Sequence, residues 1–143
     1  MTLKEIFGKF CKKNEIPVLR VKSQDEEADN FGMMINGENG DWESYAMCYE
    51  QENLFVFFIH LGVQIPKEAR ERVAILLNNI NYQLKCGGFF LDMKNGYVIA
   101  RATQYIFGTE EEQVYQVENC IKACAVITDA YFNDIMREGY VNL

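Results

Sequence analysis

The pattern of apolar and polar positions along this 143-residue chain predicts one central strand. The stretch from Leu54 to Leu61 is apolar at almost every position, on both alternating faces of an extended chain. Such a run is typical of a strand that is covered on both sides, so we expect it near the middle of a sheet. The other elements are predicted in relation to this strand.

A helix is predicted directly after the central strand. Pro66 suits a helix start, where its missing N–H costs no hydrogen bond, and Gly87-Gly88 is expected to stop the helix. One face is apolar at helical spacing. This stripe consists of Ala69, Val73, Leu76, Leu77, Ile80 and Leu84. We therefore expect this helix to dock on the sheet.

Two further strands follow, around the dipeptide Asn95-Gly96, which strongly favours a hairpin turn. Phe89–Asp92 and Tyr97–Arg101 are the predicted strands on either side of it. The chain from residue 54 to residue 101 thus predicts a strand, a helix and a hairpin.

Two strands are predicted before the central one. Phe31–Ile35 and Trp42–Glu50 flank a glycine-rich turn, and residues 51–53 lead on into Leu54, which makes a three-stranded meander. The alternation in the second strand predicts two faces, one with Trp42, Ser44, Ala46 and Cys48 and the other with Glu43, Tyr45, Met47 and Tyr49. Val18–Lys22 is compatible with either a strand or an extended linker.

Capping boxes predict helices at both ends of the chain. Thr2 is followed three residues later by Glu5, and Thr109 by Glu112. The first helix is expected to end near Asn14, and Gly139 is the expected C-terminal cap of the last and longest one. The order is therefore α-β-β-β-α-β-β-α, which predicts an α+β fold with an antiparallel sheet in a single domain over residues 1–143.

Composition and charge exclude several classes of protein. The net charge is −7, and no cluster of Lys and Arg exceeds Lys12-Lys13, so we expect no nucleic-acid partner. No apolar run approaches the ~20 residues of a membrane span, and the N-terminus lacks the apolar run of a signal peptide. Five cysteines without a CxxC motif indicate reduced thiols, a cytoplasmic protein and no structural metal.

Candidate catalytic and metal-binding residues are few. His60 is the only histidine, and because it lies in the most apolar strand we expect a structural, hydrogen-bonded side chain. Cys120 and Cys124 could face one ion on the last helix, but two thiolates and a distant histidine make a poor zinc site, so we expect both to pack. We therefore predict no catalytic residue, no metal and no cofactor.

Aromatic residues offer a candidate binding surface. Trp42, Tyr45 and Tyr49, together with the Phe-rich central strand, could line a surface that binds a partner, and these three are the candidate partner-binding residues. The alternative is that they belong to the core, which is our expectation for the Phe side chains. For Tyr45 and Tyr49 both interpretations remain open.

The order and spacing of several short motifs resemble the YbjN-like family of bacterial proteins, described as putative sensory-transduction regulators. The motifs are Trp42 at a strand start, the strand Phe55–Leu61, Ile65-Pro66, Asn78-Asn79-Ile80-Asn81, Gly88–Asp92, and Tyr131-Phe132 with Gly139. The domain of that family resembles the type III secretion chaperone fold. The resemblance implies the same element order, a tendency to dimerise, a binding or regulatory role, and no catalytic residues.

Two functions are compatible with these observations. The first is a non-enzymatic protein-binding module, chaperone-like or regulatory, with a protein partner. The alternative is a small-molecule sensor or minor enzyme that uses a pocket between sheet and helices. A cluster of buried polar groups in a concave site would favour the alternative.

A homodimer contact is predicted on the second helix. Ile75 and Tyr82 lie nearly opposite the apolar stripe, seven residues apart, with Asn78 between them. The helix serves as a subunit contact in the chaperones that the chain resembles. Ile75, Asn78 and Tyr82 are therefore the candidate dimer-interface residues, since a two-fold axis would bring each against its own copy.

Overall fold

The computed structural model describes residues 1–22 and 25–141. It contains three α-helices and six strands. In chain order these are α1 Leu3–Lys13, β1 Leu19–Val21, β2 Asp29–Asn36, β3 Asp41–Tyr49, β4 Leu54–Gln64, α2 Arg70–Gln83, β5 Gly88–Leu91, β6 Tyr97–Tyr105 and α3 Glu110–Met136. Short 3-10 turns precede β4 and α2, and the π-helical turn Arg137–Val141 follows α3.

The six strands form one antiparallel sheet in the order β1-β2-β3-β4-β6-β5. The α+β class is confirmed, and the predicted helices and strands occur in the predicted order, with one additional strand, β1, before the meander. β4 lies between β3 and β6, so the prediction that it is central is also confirmed. Residues 19–21 form a short edge strand, which decides the open choice for this segment in favour of a strand.

The three helices cover one face of the sheet. On β4 the side chains of Phe55, Phe57, Ile59 and Leu61 are buried, whereas the alternate side chains of Leu54, Val56, Phe58 and His60 are only half-buried. The expectation that β4 is covered on both sides is therefore wrong for the described part of the chain. The apolar character of the second face must have another reason than burial beneath a helix.

The helix starts follow the capping boxes. The Thr2 hydroxyl accepts a hydrogen bond from the Glu5 N–H at 3.3 Å, and the Thr109 hydroxyl accepts one from the Glu112 N–H at 3.2 Å. Asn14 caps the C-terminus of α1, as predicted. Local sequence therefore determines where α1 and α3 begin.

The limits of α2 differ from those predicted. Pro66 precedes a 3-10 turn, Lys67–Ala69, and the α-helix begins only at Arg70. It ends at Gln83 because Leu84 is extended, so Gly87-Gly88 lies beyond its end. The apolar stripe itself is confirmed: Ala69, Val73, Leu77 and Ile80 are buried, and Leu76 and Leu84 are half-buried.

Gly139 does not cap the last helix. The chain continues from α3 into the turn Arg137–Val141, and Gly139 lies inside that turn. A Cβ atom at this position would stand 2.7 Å from Cδ1 of Ile65, so any larger residue would have to displace the buried Ile65 side chain. At the hairpin the prediction is confirmed, since Gly96 adopts the left-handed conformation (φ +82°) between β5 and β6.

Candidate protein-binding face

The sheet face away from the helices is the candidate functional site, and we call it the open face. Cross-strand pairing places alternate residues of neighbouring strands side by side on it. It carries Met34, Glu43, Tyr45, Met47, Tyr49, Leu54, Val56, Phe58, His60, Phe90, Tyr97, Ile99, Arg101, Thr103 and Tyr105. The solvated face of an antiparallel sheet is normally polar. Here most positions are apolar or aromatic.

Three rings form the centre of the open face. Tyr45 and Phe58 are cross-strand partners whose rings stack with centroids 5.4 Å apart. The His60 ring stands nearly perpendicular to both, with each centroid 5.6 Å away. These contacts fix the three side chains relative to one another, so the centre presents an ordered aromatic surface.

His60 is not the hydrogen-bonded core histidine that we expected. Its side chain is half-buried on the open face, and within the described residues its ring makes aromatic contacts and no hydrogen bond. The reason is the two-residue period of the strand, which places the neighbours Ile59 and Leu61 in the core and His60 on the opposite side. The sequence alone does not show which side stays open.

A hollow of about 560 Å³ adjoins the ring cluster. It is lined by His60, Phe90, Leu91, Asp92, Tyr97 and Ile99. Beside it, the Arg101 guanidinium lies 4.4 Å from the centroid of the Phe90 ring. In this cation–π contact the Phe90 ring shields one side of the Arg101 guanidinium from solvent. Apolar groups of a partner can therefore contact this part of the face.

A second group of exposed rings lies at the far end of the open face. Tyr49, Leu54 and Tyr105 form a cross-strand row, and the ring of Phe107 stacks on that of Tyr105 with centroids 6.2 Å apart. Phe107 is 62% exposed. The side-chain amide of Gln116 holds its backbone in place, accepting from the Phe107 N–H at 2.9 Å and donating to its carbonyl at 3.0 Å.

The three candidate partner-binding residues do not share one face. Tyr45 and Tyr49 lie half-buried on the open face, whereas Trp42 is 3% exposed on the covered face. The Trp42 ring packs against Phe132 of α3, with the ring centroids 5.3 Å apart. Trp42 is therefore a core residue, which corrects its place among the candidates. The cause is again the alternation of β3, where residues 42 and 45 point to opposite sides.

The cysteines pack as thiols. All five are free, and Cys11, Cys48, Cys120 and Cys124 are buried. Burial raises the pKa of both Cys120 and Cys124 from 9.0 to about 12, so both are neutral thiols at physiological pH. Neutral thiols are poor nucleophiles and poor metal ligands. Among the described residues no group of three or more His, Cys, Asp or Glu side chains is arranged to hold a metal ion.

The sensor or enzyme alternative requires buried polar groups in a concave site. In the described part of the chain the buried polar side chains are Ser44 and Thr128. Each donates its hydroxyl to a backbone carbonyl, that of Met33 and that of Cys124, at 2.8 Å in both cases. These two side chains therefore do not form such a cluster.

The candidate dimer residues lie on the surface of α2. Ile75 is 58% exposed, Tyr82 is 91% exposed, and Asn78 between them is exposed as well. Two helical turns separate Ile75 from Tyr82, so the side chains stand about 10 Å apart along the helix.

Within the described residues, no helix is both long enough and apolar enough to span a bilayer.

Comparisons with known proteins agree with this architecture. A crystal structure of YbjN from E. coli, described as a putative transcription regulator, matches with a TM-score of 0.60 and 13% identity over 92% of each chain. A chain of the HopA1-SchA chaperone-effector complex matches with a TM-score of 0.55 and 15% identity, covering 91% of this chain and 92% of the other. No curated protein matches the sequence. The model of the YbjN family, "Putative bacterial sensory transduction regulator", matches residues 9–135. The chain therefore belongs to the YbjN family.

Proposed function

We propose that this chain is a non-enzymatic protein-binding module, chaperone-like or regulatory, and that its open face receives an apolar segment of a partner protein. The observation that carries the proposal is the apolar row of Leu54, Val56 and Phe58, which continues to the His60 ring and is not covered by a helix, in the middle of the sheet. A strand with no binding role on this side would carry polar residues there.

The size of the open face supports a protein partner. Its four long strands, about 4.8 Å apart and about 30 Å long, give an area of roughly 600 Å². One partner contributes about 800 Å² to a standard protein–protein interface. Monomers rarely expose contiguous apolar patches larger than a few hundred Å², and larger patches mark binding sites. A chain of the HopA1-SchA chaperone-effector complex has a similar fold, which is consistent with this role.

The distribution of charge supports a protein rather than a nucleic acid. Lys9, Lys12 and Lys13 of α1 face the acidic first turn of α3 across a shared hollow. Lys9 forms an ion pair with Glu110. Because these lysines are compensated by carboxylates, they do not present the uncompensated positive surface that phosphates require.

The proposal includes a homodimer formed through α2. Ile75 and Tyr82 are large side chains with most of their surface exposed, and they lie on the helix surface that the sheet does not use. A two-fold axis beside Asn78 would bury both pairs with one contact. The open face stays available to a partner in such a dimer. The free thiols are consistent with a reducing cytoplasm.

The test is an affinity capture with variants of the open face. Phe58→Glu places a charge at the centre of the ring cluster, and Val56→Lys does so one position along the same face. Both side chains are half-buried on the uncovered side, so these variants are expected to fold. A specific partner retained by the wild-type protein should be lost, by at least about tenfold in affinity, with each variant.

A charge on another exposed apolar residue is the matched control. Val126 on α3 is 66% exposed and lies on the helical side of the molecule, so Val126→Glu should retain the partner. A partner that binds the three variants and the wild type equally would contradict the proposal. Partner loss in all three variants would point to a nonspecific effect of charge and contradict it as well.

A further inference from the structure

The two edges of the sheet differ in whether the outward-facing backbone groups have hydrogen-bond partners. At β5, the side-chain amide of Asn81 closes the edge by bonding both backbone groups of Phe89. It accepts from the Phe89 N–H at 2.8 Å and donates to the Phe89 carbonyl at 2.9 Å. Exposed edge strands recruit other chains, and proteins commonly protect them. This edge is protected by a helix side chain that imitates a neighbouring strand.

The opposite edge is left open along part of β2. The ladder with β1 stops at the pair Leu19–Gly32, while β2 continues to Asn36. Within the described residues, positions 33–36 of β2 therefore pair with β3 on one side and with no strand on the other. The Met33 carbonyl accepts from the Ser44 hydroxyl on the β3 side, so the groups of Met34 point to the free side.

A groove lies along this free segment. It has a volume of about 680 Å³ and runs between the connection from α1 to β1 and the ends of β2 and β3. Apolar side chains dominate its lining, among them Ile16, Leu19 and Met34. Its charged lining residues are Glu15 and Glu43. Tyr45 belongs to both this groove and the open face, so the two surfaces are continuous.

We infer that the free edge of β2 at residues 33–36 accepts one extended segment of a partner protein as an added strand, antiparallel or parallel, with apolar residues alternating with Lys or Arg. The unpaired backbone groups recognise the strand, the groove takes its apolar side chains, and Glu15 and Glu43 attract its basic ones. This inference rests on the proposed protein-binding role and gives the chemistry of the partner.

Charge selects this occupant over a second copy of the chain. The chain has a net charge of −7, and the groove adds two carboxylates without a compensating Lys or Arg in its lining. Two copies meeting at this edge would bring like charges together, which disfavours pairing. A basic segment is attracted by the same negative charge.

The probe is a synthetic peptide of about seven residues that alternates valine and lysine. Two N-methylated versions carry the methyl groups on alternate amides, at the valines in one and at the lysines in the other. In an added strand one set of amides faces β2 and the other faces solvent. We expect one version to bind about tenfold more weakly than the parent and the other to bind within about twofold.

NMR titration of isotope-labelled protein with the peptide locates the contact. The signal of the Met34 amide should shift, and the hydrogen exchange of that amide should slow. Met34→Pro removes the amide donor at a position where an edge strand tolerates proline and should weaken binding about tenfold. Met34→Leu keeps the donor and should bind as the wild type does. If the proline variant fails to fold, the methylated peptides decide.

Several outcomes overturn the inference. The first is that the peptide does not bind at concentrations up to about 1 mM. The second is that both methylated versions lose the same affinity. The third is that a valine–glutamate peptide binds as tightly as the valine–lysine peptide. Formation of a dimer that Met34→Pro abolishes without peptide would show that the second copy is the occupant, and it overturns the inference too. Partner capture with Phe58→Glu tests the open face, and the peptide titration of the wild-type protein and of Met34→Pro tests the edge, so a failure of one is distinguishable from a failure of the other.

Discussion

Asn81 and Phe89 form a reciprocal pair in which a side-chain amide matches a backbone peptide group, with hydrogen bonds of 2.8 and 2.9 Å. The pair joins the C-terminal half of α2 to the edge strand β5. Because Phe89 itself is buried, its N–H and carbonyl have little access to water. Without Asn81 both groups would lose their partner, and such groups are costly in a folded protein.

The first prediction is that Asn81→Ala destabilises the fold. Leaving the two backbone groups of Phe89 unsatisfied should lower the free energy of unfolding by about 1–3 kcal/mol, measured by urea denaturation. Asn79→Ala, at an exposed position on the same helix, should change it by less than about 0.5 kcal/mol. Equal effects of the two variants would show that the pair contributes nothing specific.

The second prediction compares two neighbouring phenylalanines of β4. Phe57 is fully buried, so Phe57→Ala should cost about 3–5 kcal/mol. Phe58 is half-buried on the open face, and Phe58→Ala should cost about 1 kcal/mol. Thermal or denaturant unfolding measures both. A reversed order would mean that the covered face and the open face have been exchanged.

The third prediction concerns self-association. The double variant Ile75→Glu, Tyr82→Glu places charge on both exposed positions of α2, so it should convert a dimer into a folded monomer. Light scattering at about micromolar concentration reads the mass, and circular dichroism confirms the fold. Val126→Glu serves as the control and should remain dimeric. A wild-type protein that is monomeric under these conditions contradicts the dimer.

The fourth prediction concerns the thiols. Cys86 is exposed and the other four are buried, so a thiol reagent should label one cysteine quickly in the native protein and all five after unfolding. Rapid native labelling of any of the four buried thiols would contradict the packing around that side chain. Cys86→Ser should abolish the rapid phase.

The same burial makes stability depend on alkaline pH. For Cys120 and Cys124 the pKa rises from 9.0 in the ordinary thiol to about 12 in the folded chain. A raised folded-state pKa stabilises the fold fully below pH 9, and this contribution is lost as the pH rises from 9 toward 12. We expect the free energy of unfolding to fall across that window, and to fall less steeply in Cys120→Ala, Cys124→Ala.

Much of the fold was predictable because its causes are local. Thr2 and Thr109 supply an oxygen to backbone amides only three residues away, so the capping boxes identify the starts of α1 and α3 directly. The apolar stripe from Ala69 to Leu84 identifies the buried side of α2, because helical periodicity does not depend on the rest of the chain. The limits of α2 were less accurate, since the turn at residues 67–69 is held in part by the Arg70 side chain, which donates to the Ile65 carbonyl at 2.9 Å.

The candidate site depended on relations that no local pattern contains. The alternation in β3 correctly separates Trp42 from Tyr45, yet it does not say which of the two sides the helices cover. Asn81 and Phe89 are eight residues apart, and their pairing required α2 to pack beside the edge of the sheet. A glycine near the end of a helical pattern predicts a C-terminal cap, which is the role we expected for Gly139. Its close contact with Ile65 could not be predicted, because the two residues are distant in sequence.

The sequence by itself determined the order of the predicted helices and strands, the two sides of a strand such as β3 and the buried side of α2, because these follow from backbone geometry within a few residues. Only the tertiary structure decided that all three helices lie on one side of the sheet. That choice left Phe58 and His60 uncovered, placed Trp42 in the core and closed one edge with Asn81 while the edge at Met34 stayed open. The reason is that coverage depends on where distant segments pack, and an apolar strand has the same pattern whether a helix or a partner protein covers its second side.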